Sequence, residues 1–318
     1  VKLRCAILDD YQRVALKLAD WSVLAADVDI KVYHQHFSDE QSLITALKSC
    51  DILVVMRERS FLSATILVQL KRLKLIVTSG MRNAAIDIKF ARAQGIEVCG
   101  TTSLTQPPVE LTWALILGLA RNIVSENQAF KSNGPWQSTV GISLHNKQLG
   151  ILGLGKIGQR VAQIGKAFGM KVMAWSQNLT QEQAESVDVC LADSKQALLT
   201  SSDFVSIHLI LSERTRHLIG ASELKSMRSS AYLINTSRAQ IIQQDDLLQA
   251  LEQGWIAGAG LDVFDMEPLP AGDRLRTLPN VLATPHLGYV TEANYQLYFS
   301  QAVENIQAFL AGQPIRLI

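Results

Sequence analysis

Neither sign of charge dominates this chain: 30 Lys and Arg stand against 29 Asp and Glu, a formal net charge of +1. Without a basic excess there is no electrostatic footprint for nucleic acid. Without a polybasic or amphipathic block there is none for a membrane surface. Long apolar runs are missing too. The longest, such as residues 113–120, fall far short of the roughly 20 residues that span a bilayer. Cysteine is scarce, and Cys5, Cys50, Cys99 and Cys190 show no metal-ligand spacing. Each lies in or beside an apolar run, as small buried thiols in a reducing compartment would. Residues 1–9 read as a strand, not as the regions of a signal peptide. Low-complexity tracts and short-period repeats are absent. These absences lead us to expect a cytoplasmic protein with no nucleic-acid partner, no membrane partner and no metal.

What is present is apolar material in short pieces. Hydrophobic residues make up 48% of 318 positions, enough for sizeable cores in about two domains. The first hundred residues alternate strand and helix. Strands are expected at 3–8, 30–34, 51–56, 73–78 and 96–99. Helical spacing covers 11–21, 38–47, 63–70 and 87–94. Short apolar strands separated by helices imply a parallel sheet covered on both faces. Residues 101–108, rich in Thr, Ser and Pro, mark a boundary. A long helix is expected from Val109 to about Arg121, with more helix to Lys131, before Gly134-Pro135. The alternation then resumes, with strands at 149–152, 171–175, 204–208, 232–235, 257–262 and 281–283. A last helix is expected over 292–310, with Gly312 as its stop signal.

The strand at 149–152 runs directly into Gly153-Leu154-Gly155-Lys156-Ile157-Gly158, and helical spacing follows at Val161, Ile164 and Phe168. Strand, Gly-x-Gly-x-x-Gly and helix in that order form the dinucleotide fingerprint. Gly153 permits the tight turn, Gly155 keeps side chains away from a pyrophosphate, and Gly158 lets helix and strand pack closely. The helix N-terminus adds N–H donors and a positive dipole end. The first hundred residues hold no such motif, so the cofactor is expected in the second half. Three charged residues there sit where strands end: Arg238, Glu267 and His286. Ligands of open α/β sheets bind beyond those ends. A guanidinium offers a planar fork to a carboxylate, an imidazole exchanges a proton near neutral pH, and a carboxylate holds the ring. Together they suit proton-coupled hydride transfer to a 2-oxo acid.

The surroundings of these residues resemble the D-isomer-specific 2-hydroxyacid dehydrogenase family over nearly the whole chain. The matching pieces are the Gly153 fingerprint, Asn-Thr-Ser-Arg238, Leu-Asp-Val-Phe-Asp-Met-Glu267-Pro and Thr-Pro-His286-Leu-Gly. Ser79-Gly80-Met81-Arg82-Asn83 resembles the family's substrate loop, and Pro108-Val109-Glu110 its interdomain helix. The resemblance implies an α/β fold of two doubly wound parallel-sheet domains. One is a discontinuous, flavodoxin-like substrate domain (residues 1–100 plus 286–318). The other is a Rossmann dinucleotide-binding domain (101–285). It implies NAD or NADP as cofactor, a small 2-oxo or 2-hydroxy acid as substrate, and a homodimer with the helix from Val109 as its contact. Arg238 would grip the substrate carboxylate, His286 would be the acid or base, and Glu267 would hydrogen-bond it. Gly80, Met81, Arg82 and Arg57 would line the substrate. Asp262 would lie near the nicotinamide amide, and His208, Thr236 and Gly288 would line the cofactor.

Three departures from the family pattern bear on function, one of them the added cations Arg57 and Arg82 near the expected substrate loop. The position that carries an acidic residue for the ribose holds Ser176-Gln177-Asn178 here, with neither a carboxylate to repel a 2′-phosphate nor an arginine to grip one. Ala239 follows Arg238 where glycine is usual, which would cost activity if the backbone there needs positive φ. The first reading is a glyoxylate or hydroxypyruvate reductase. The alternatives are a short phosphoglycerate dehydrogenase and a non-catalytic dinucleotide sensor.

Overall fold

Each sheet has two neighbouring or near-neighbouring strands at its centre whose every residue is buried. Ile52–Val55 and Leu75–Thr78 are those of one sheet, Phe204–Ile207 and Gly258–Leu261 those of the other. This is the pattern of parallel sheets covered on both faces. The computed structural model describes residues 1–318. It divides them into one unit of Val1–Leu104 with Thr291–Ile318 and a second of Thr105–Val290.

The first unit holds β1 (Leu3–Ile7), β2 (Val28–Val32), β3 (Ile52–Val55), β4 (Leu75–Thr78) and β5 (Glu97–Cys99). All pair in parallel, in the order β2-β1-β3-β4-β5. This is the flavodoxin-like order, with its reversal between β1 and β3. The Glu292–Leu310 helix returns to this unit. It buries Tyr298, Phe299, Ala302 and Ile306. Asn294 Oδ1 accepts from the Leu104 N–H at 2.9 Å, and Asn305 Nδ2 donates to the Gly100 carbonyl at 2.8 Å.

The second unit holds β6 (Gln148–Leu152), β7 (Lys171–Trp175), β8 (Cys190–Leu191), β9 (Phe204–Ile207), β10 (Tyr232–Asn235), β11 (Gly258–Leu261) and β12 (Val281–Ala283). The parallel order is β12-β11-β10-β9-β6-β7-β8, so the reversal falls between β6 and β9. That crevice is where a doubly wound sheet takes a nucleotide. The Gln106–Ala120 helix packs on this sheet and buries Val109, Trp113, Leu115, Ile116 and Leu119. No helix of the chain is long and apolar enough to cross a membrane.

Several sequence expectations need correction. Residues 11–20 form turns and bends in place of a helix, with a 3-10 turn only from Trp21, because the Asp10 carboxylate takes the Val14 and Ala15 N–H groups at 3.0 and 3.2 Å. Such local side-chain bonds compete with helix formation. The long helix starts at Gln106, with prolines in its first turn where no N–H partner is lost. The two-residue β8 was not anticipated, and its Cys190 is exposed, unlike the other three thiols. The chain divides after Leu104 and Val290 instead of after residues 100 and 285. His286 and Gly288 thereby fall in the second unit. The Thr284 N–H continues the ladder to the Leu261 carbonyl at 2.9 Å, and the Asp262 carboxylate holds the Leu287 and Gly288 amides.

Candidate active site

Because all seven strands of the second unit run the same way, the residues just past their ends form one edge. Read along the sheet, that edge carries His286 after β12, Asp262 and Glu267 after β11, and Thr236 and Arg238 after β10. His208 follows β9, Gly153 follows β6, and Ser176 follows β7.

The glycine turn has three unequal glycines. Gly153 adopts φ +98°, and a Cβ there would lie 2.8 Å from the His208 carbonyl oxygen. A Cβ on Gly158 would lie 2.1 Å from the Gly153 oxygen. Both are therefore required by the fold itself. Gly155 is different: a Cβ built on it would meet nothing within 4 Å. It caps the Lys156–Ala167 helix, whose first internal bond runs from the Gln159 N–H to the Gly155 carbonyl at 2.9 Å. The Lys156, Ile157 and Gly158 amides precede that bond and end the helix with donors and partial positive charge. Open space above such a terminus could take the pyrophosphate of a dinucleotide, with these amides as its donors. Ser176, Gln177 and Asn178 leave the adjoining β7 in a turn closed by the Leu179 N–H on the Ser176 carbonyl at 3.1 Å.

His208 turns its ring back into its own unit, where Nε2 lies 2.8 Å from Ser206 Oγ, and burial pushes its imidazole down to about 4. An unfolded histidine titrates near 6.5, so the unfolded chain binds more protons between those values. The stability this site contributes is present above 6.5 and lost as pH falls through 4. Part of the side chain still reaches solvent, so we set the loss at about 2 kcal/mol. Urea unfolding at pH 7 and pH 4.5 should show His208→Gln with a shallower loss than the parent. Equal slopes would refute the assignment.

Thr236 pairs its hydroxyl with Thr112 on the long helix at 2.8 Å. Arg238 follows a turn bracketed by the buried Asn235, which accepts from the Ser237 N–H at 3.0 Å and donates to the Arg238 carbonyl at 2.9 Å. The guanidinium donates to the Ser237 carbonyl at 2.7 Å. Ala239 opens a short 3-10 helix and is not among the positive-φ residues, so the missing glycine costs no backbone strain.

Glu267 and His286 meet directly: Nδ1 lies 2.6 Å from Oε2. The other carboxylate oxygen accepts from the Phe264 N–H at 2.9 Å, which fixes the acid. A carboxylate at Nδ1 keeps a proton on that nitrogen and leaves Nε2 for exchange. Tyr289 packs its ring against the imidazole edge-on, with centroids 5.3 Å apart. Asp262, one residue past β11, is buried. Its Oδ1 accepts from Thr284 Oγ1 and the Leu287 N–H at 2.6 Å each, and its Oδ2 from the Gly288 N–H at 2.8 Å. Asn235, Thr284 and Tyr289 are part of this arrangement and were not singled out from the sequence. Only Asn235 gave a signal, as an Asn at a strand end that can close a turn.

In the first unit, Gly80 (φ +89°) lies against Arg57, and a Cβ on it would be 2.1 Å from the guanidinium. The Arg57 N–H donates to Ser79 Oγ at 2.8 Å, and Asn83 Nδ2 donates to the Arg57 carbonyl at 2.6 Å. Arg57 and the 79–83 loop are thus tied together, while Met81 and Arg82 stand exposed.

The NAD binding domain of the D-isomer specific 2-hydroxyacid dehydrogenases matches residues 113–288. A glyoxylate reductase of Aeropyrum pernix is 37% identical over 92% of this chain and 89% of its own length. A D-3-phosphoglycerate dehydrogenase of Methanocaldococcus jannaschii is 35% identical over 86% of this chain but only 52% of its own length. The crystal structure of a phosphoglycerate oxidoreductase from Vibrio cholerae superposes with TM-score 0.93 at 34% identity, covering 98% of this chain and 99% of that one. This chain belongs to the D-isomer specific 2-hydroxyacid dehydrogenase family of NAD(P)-dependent oxidoreductases.

Proposed function

We propose that the protein reduces glyoxylate or hydroxypyruvate to the 2-hydroxy acid, in the D configuration where the product is chiral. The observation that carries this reading is the 2.6 Å contact of His286 Nδ1 with Glu267, one strand end away from the turn that bears Arg238. A bound reduced nicotinamide supplies the hydride. Arg238 grips the substrate carboxylate with its planar fork and polarises the oxo group. His286 gives its Nε2 proton to the oxygen as the carbonyl carbon is reduced, and Glu267 balances the imidazolium charge before transfer. Two electrons and one proton enter with the hydride, and the second proton comes from His286.

The Lys156–Ala167 helix terminus holds the pyrophosphate, and Ser176, Gln177 and Asn178 face the adenosine ribose without a charge of either sign. Discrimination between NADH and NADPH should therefore be weak. A homodimer belongs to the same reading. Its contact moves from the Gln106–Ala120 helix, buried in its own unit, to the exposed Ile123, Val124, Phe130, Trp136 and Val140. A cytoplasmic location accords with four free thiols.

The test is kcat/KM for glyoxylate, hydroxypyruvate and its 3-phospho derivative with each reduced dinucleotide. We expect the two unphosphorylated acids to lead, with NADH and NADPH within about tenfold of each other. Preference for the phosphorylated acid would replace this reading with a phosphoglycerate dehydrogenase. Tight dinucleotide binding without turnover of any acid would replace it with a sensor.

A further inference from the structure

His286 sits in a conformation that few side-chain-bearing residues adopt. Its φ is +54°, in the left-handed region that non-glycine side chains seldom occupy. Its N–H closes back on the Thr284 carbonyl at 2.9 Å. That one bond and the residue type do not by themselves fix the turn, since His suits such angles less well than Gly. The explanation lies just past the end of the neighbouring strand, β11.

Asp262 is 1% exposed, and every hydrogen bond to its carboxylate comes from that one segment. Thr284 Oγ1 and the Leu287 N–H reach Oδ1, and the Gly288 N–H reaches Oδ2. These donors lie on both sides of His286. The fit is close: a Cβ on Gly288 would come within 3.0 Å of Oδ2. Asp262 is itself anchored, since its N–H donates to the Asn235 carbonyl at 3.0 Å, on the strand that leads to Arg238. Burial pushes the carboxyl up, while Thr284, the Leu287 amide, the neighbouring imidazole and the Gly288 amide push it down. A buried acid held by three donors from one turn defines that turn's shape.

We propose that Asp262 is the positioning residue of the proton donor: its carboxylate clamps residues 284–288 and so holds His286 in the left-handed conformation that brings Nδ1 onto Glu267. The proposal rests on the reading of His286 as the proton donor. It gives Asp262 a task beyond the nicotinamide-amide contact that the family resemblance implies, because three donors of the turn already occupy its carboxylate. A side-chain amide cannot replace the carboxylate, since it would set an N–H₂ donor against one of the three donors.

The test uses the full-length protein and four variants: Asp262→Asn, Thr284→Val, His286→Ala, and Asp262→Asn combined with His286→Ala. Asp262→Asn should lower kcat for 2-oxo acid reduction about 10²-fold, the scale of a small misplacement of a reacting group. Its dissociation constant for the reduced dinucleotide, read by fluorescence titration, should stay within about twofold of the parent. Adding Asp262→Asn to His286→Ala should cost no further rate, because a residue that acts only through His286 has nothing left to position. Thr284→Val removes one donor of the three and should lower kcat less, with the dinucleotide affinity again kept. It carries the test should Asp262→Asn fail to fold. Parent-like kcat in the folded Asp262→Asn variant, weakened dinucleotide binding with kcat retained, or a further loss in the double variant would each overturn the proposal. So would parent-like kcat in Thr284→Val where Asp262→Asn does not fold. If instead His286→Ala turns over normally, the reading of His286 falls, a result distinct from all of these.

Discussion

Truncating His286 to Ala is expected to lower kcat for 2-oxo acid reduction by about 10²–10⁴-fold, the usual worth of a positioned general acid. The loss should be confined to the chemical step. His286 follows β12, whereas the glycine turn follows β6, with β11, β10 and β9 between them. Dinucleotide affinity should therefore change little, and kcat and kcat/KM should fall together, as they do when an interaction made only in the transition state is lost. Alanine is somewhat less suited than histidine to φ +54°, so a thermal unfolding curve accompanies the rates to separate folding from chemistry. Glu267→Gln keeps an acceptor for the Phe264 N–H but loses the charge at His286 Nδ1. A smaller fall, about 10–10²-fold, is expected. The two changes combined should match His286→Ala alone, because Glu267 works through the imidazole. Steady-state rates of the three variants decide it. Near-normal turnover in His286→Ala would remove this residue from the reaction.

Gly155→Val is expected to weaken dinucleotide binding by about 10²-fold or more while the protein stays folded. Position 155 permits this separation of binding from folding; positions 153 and 158 do not. A side chain on Gly153 collides with the His208 backbone, and one on Gly158 with the Gly153 backbone, so those variants would report on folding. At Gly155 the protein leaves open space, and the backbone, at φ −79° and ψ −166°, suits a β-branched residue. The valine would occupy the place beside the Lys156, Ile157 and Gly158 amides. Fluorescence titration with NADH and NADPH, beside a thermal unfolding curve, reads both halves. Unchanged affinity in a folded Gly155→Val protein would place the dinucleotide elsewhere.

Much of the fold was legible in the sequence, because parallel strands buried on both faces must be apolar at nearly every position. β3, β4, β9 and β10 are of that kind. Cys190–Leu191 is too short for any period to register, and it became a strand only because β7 offers it an edge. Residues 11–21 carried helical spacing but form no helix before Trp21, since Asp10 captured the amides that would have begun one. In the site, the glycine turn and the Glu267–His286 pair were legible because each lies in a distinctive local string. The structure places the pair at 2.6 Å. The clamp on His286 was not legible. Asp262 and Thr284 lie 22 residues apart, and only the parallel pairing of β11 with β12 brings them together. The cost feared at Ala239 was also invisible in sequence, for it depends on a φ that the 3-10 helix turns out to keep negative.

The most direct single measurement is the product formed from hydroxypyruvate and a reduced dinucleotide. Chiral chromatography of the glycerate, with dinucleotide oxidation followed in parallel, reads reaction, stoichiometry and hand together. The expected result is D-glycerate, one molecule for each dinucleotide oxidised. L-glycerate, or a dinucleotide that binds and is never oxidised, would contradict the assignment of this edge of the sheet as the active site of a D-2-hydroxy acid dehydrogenase.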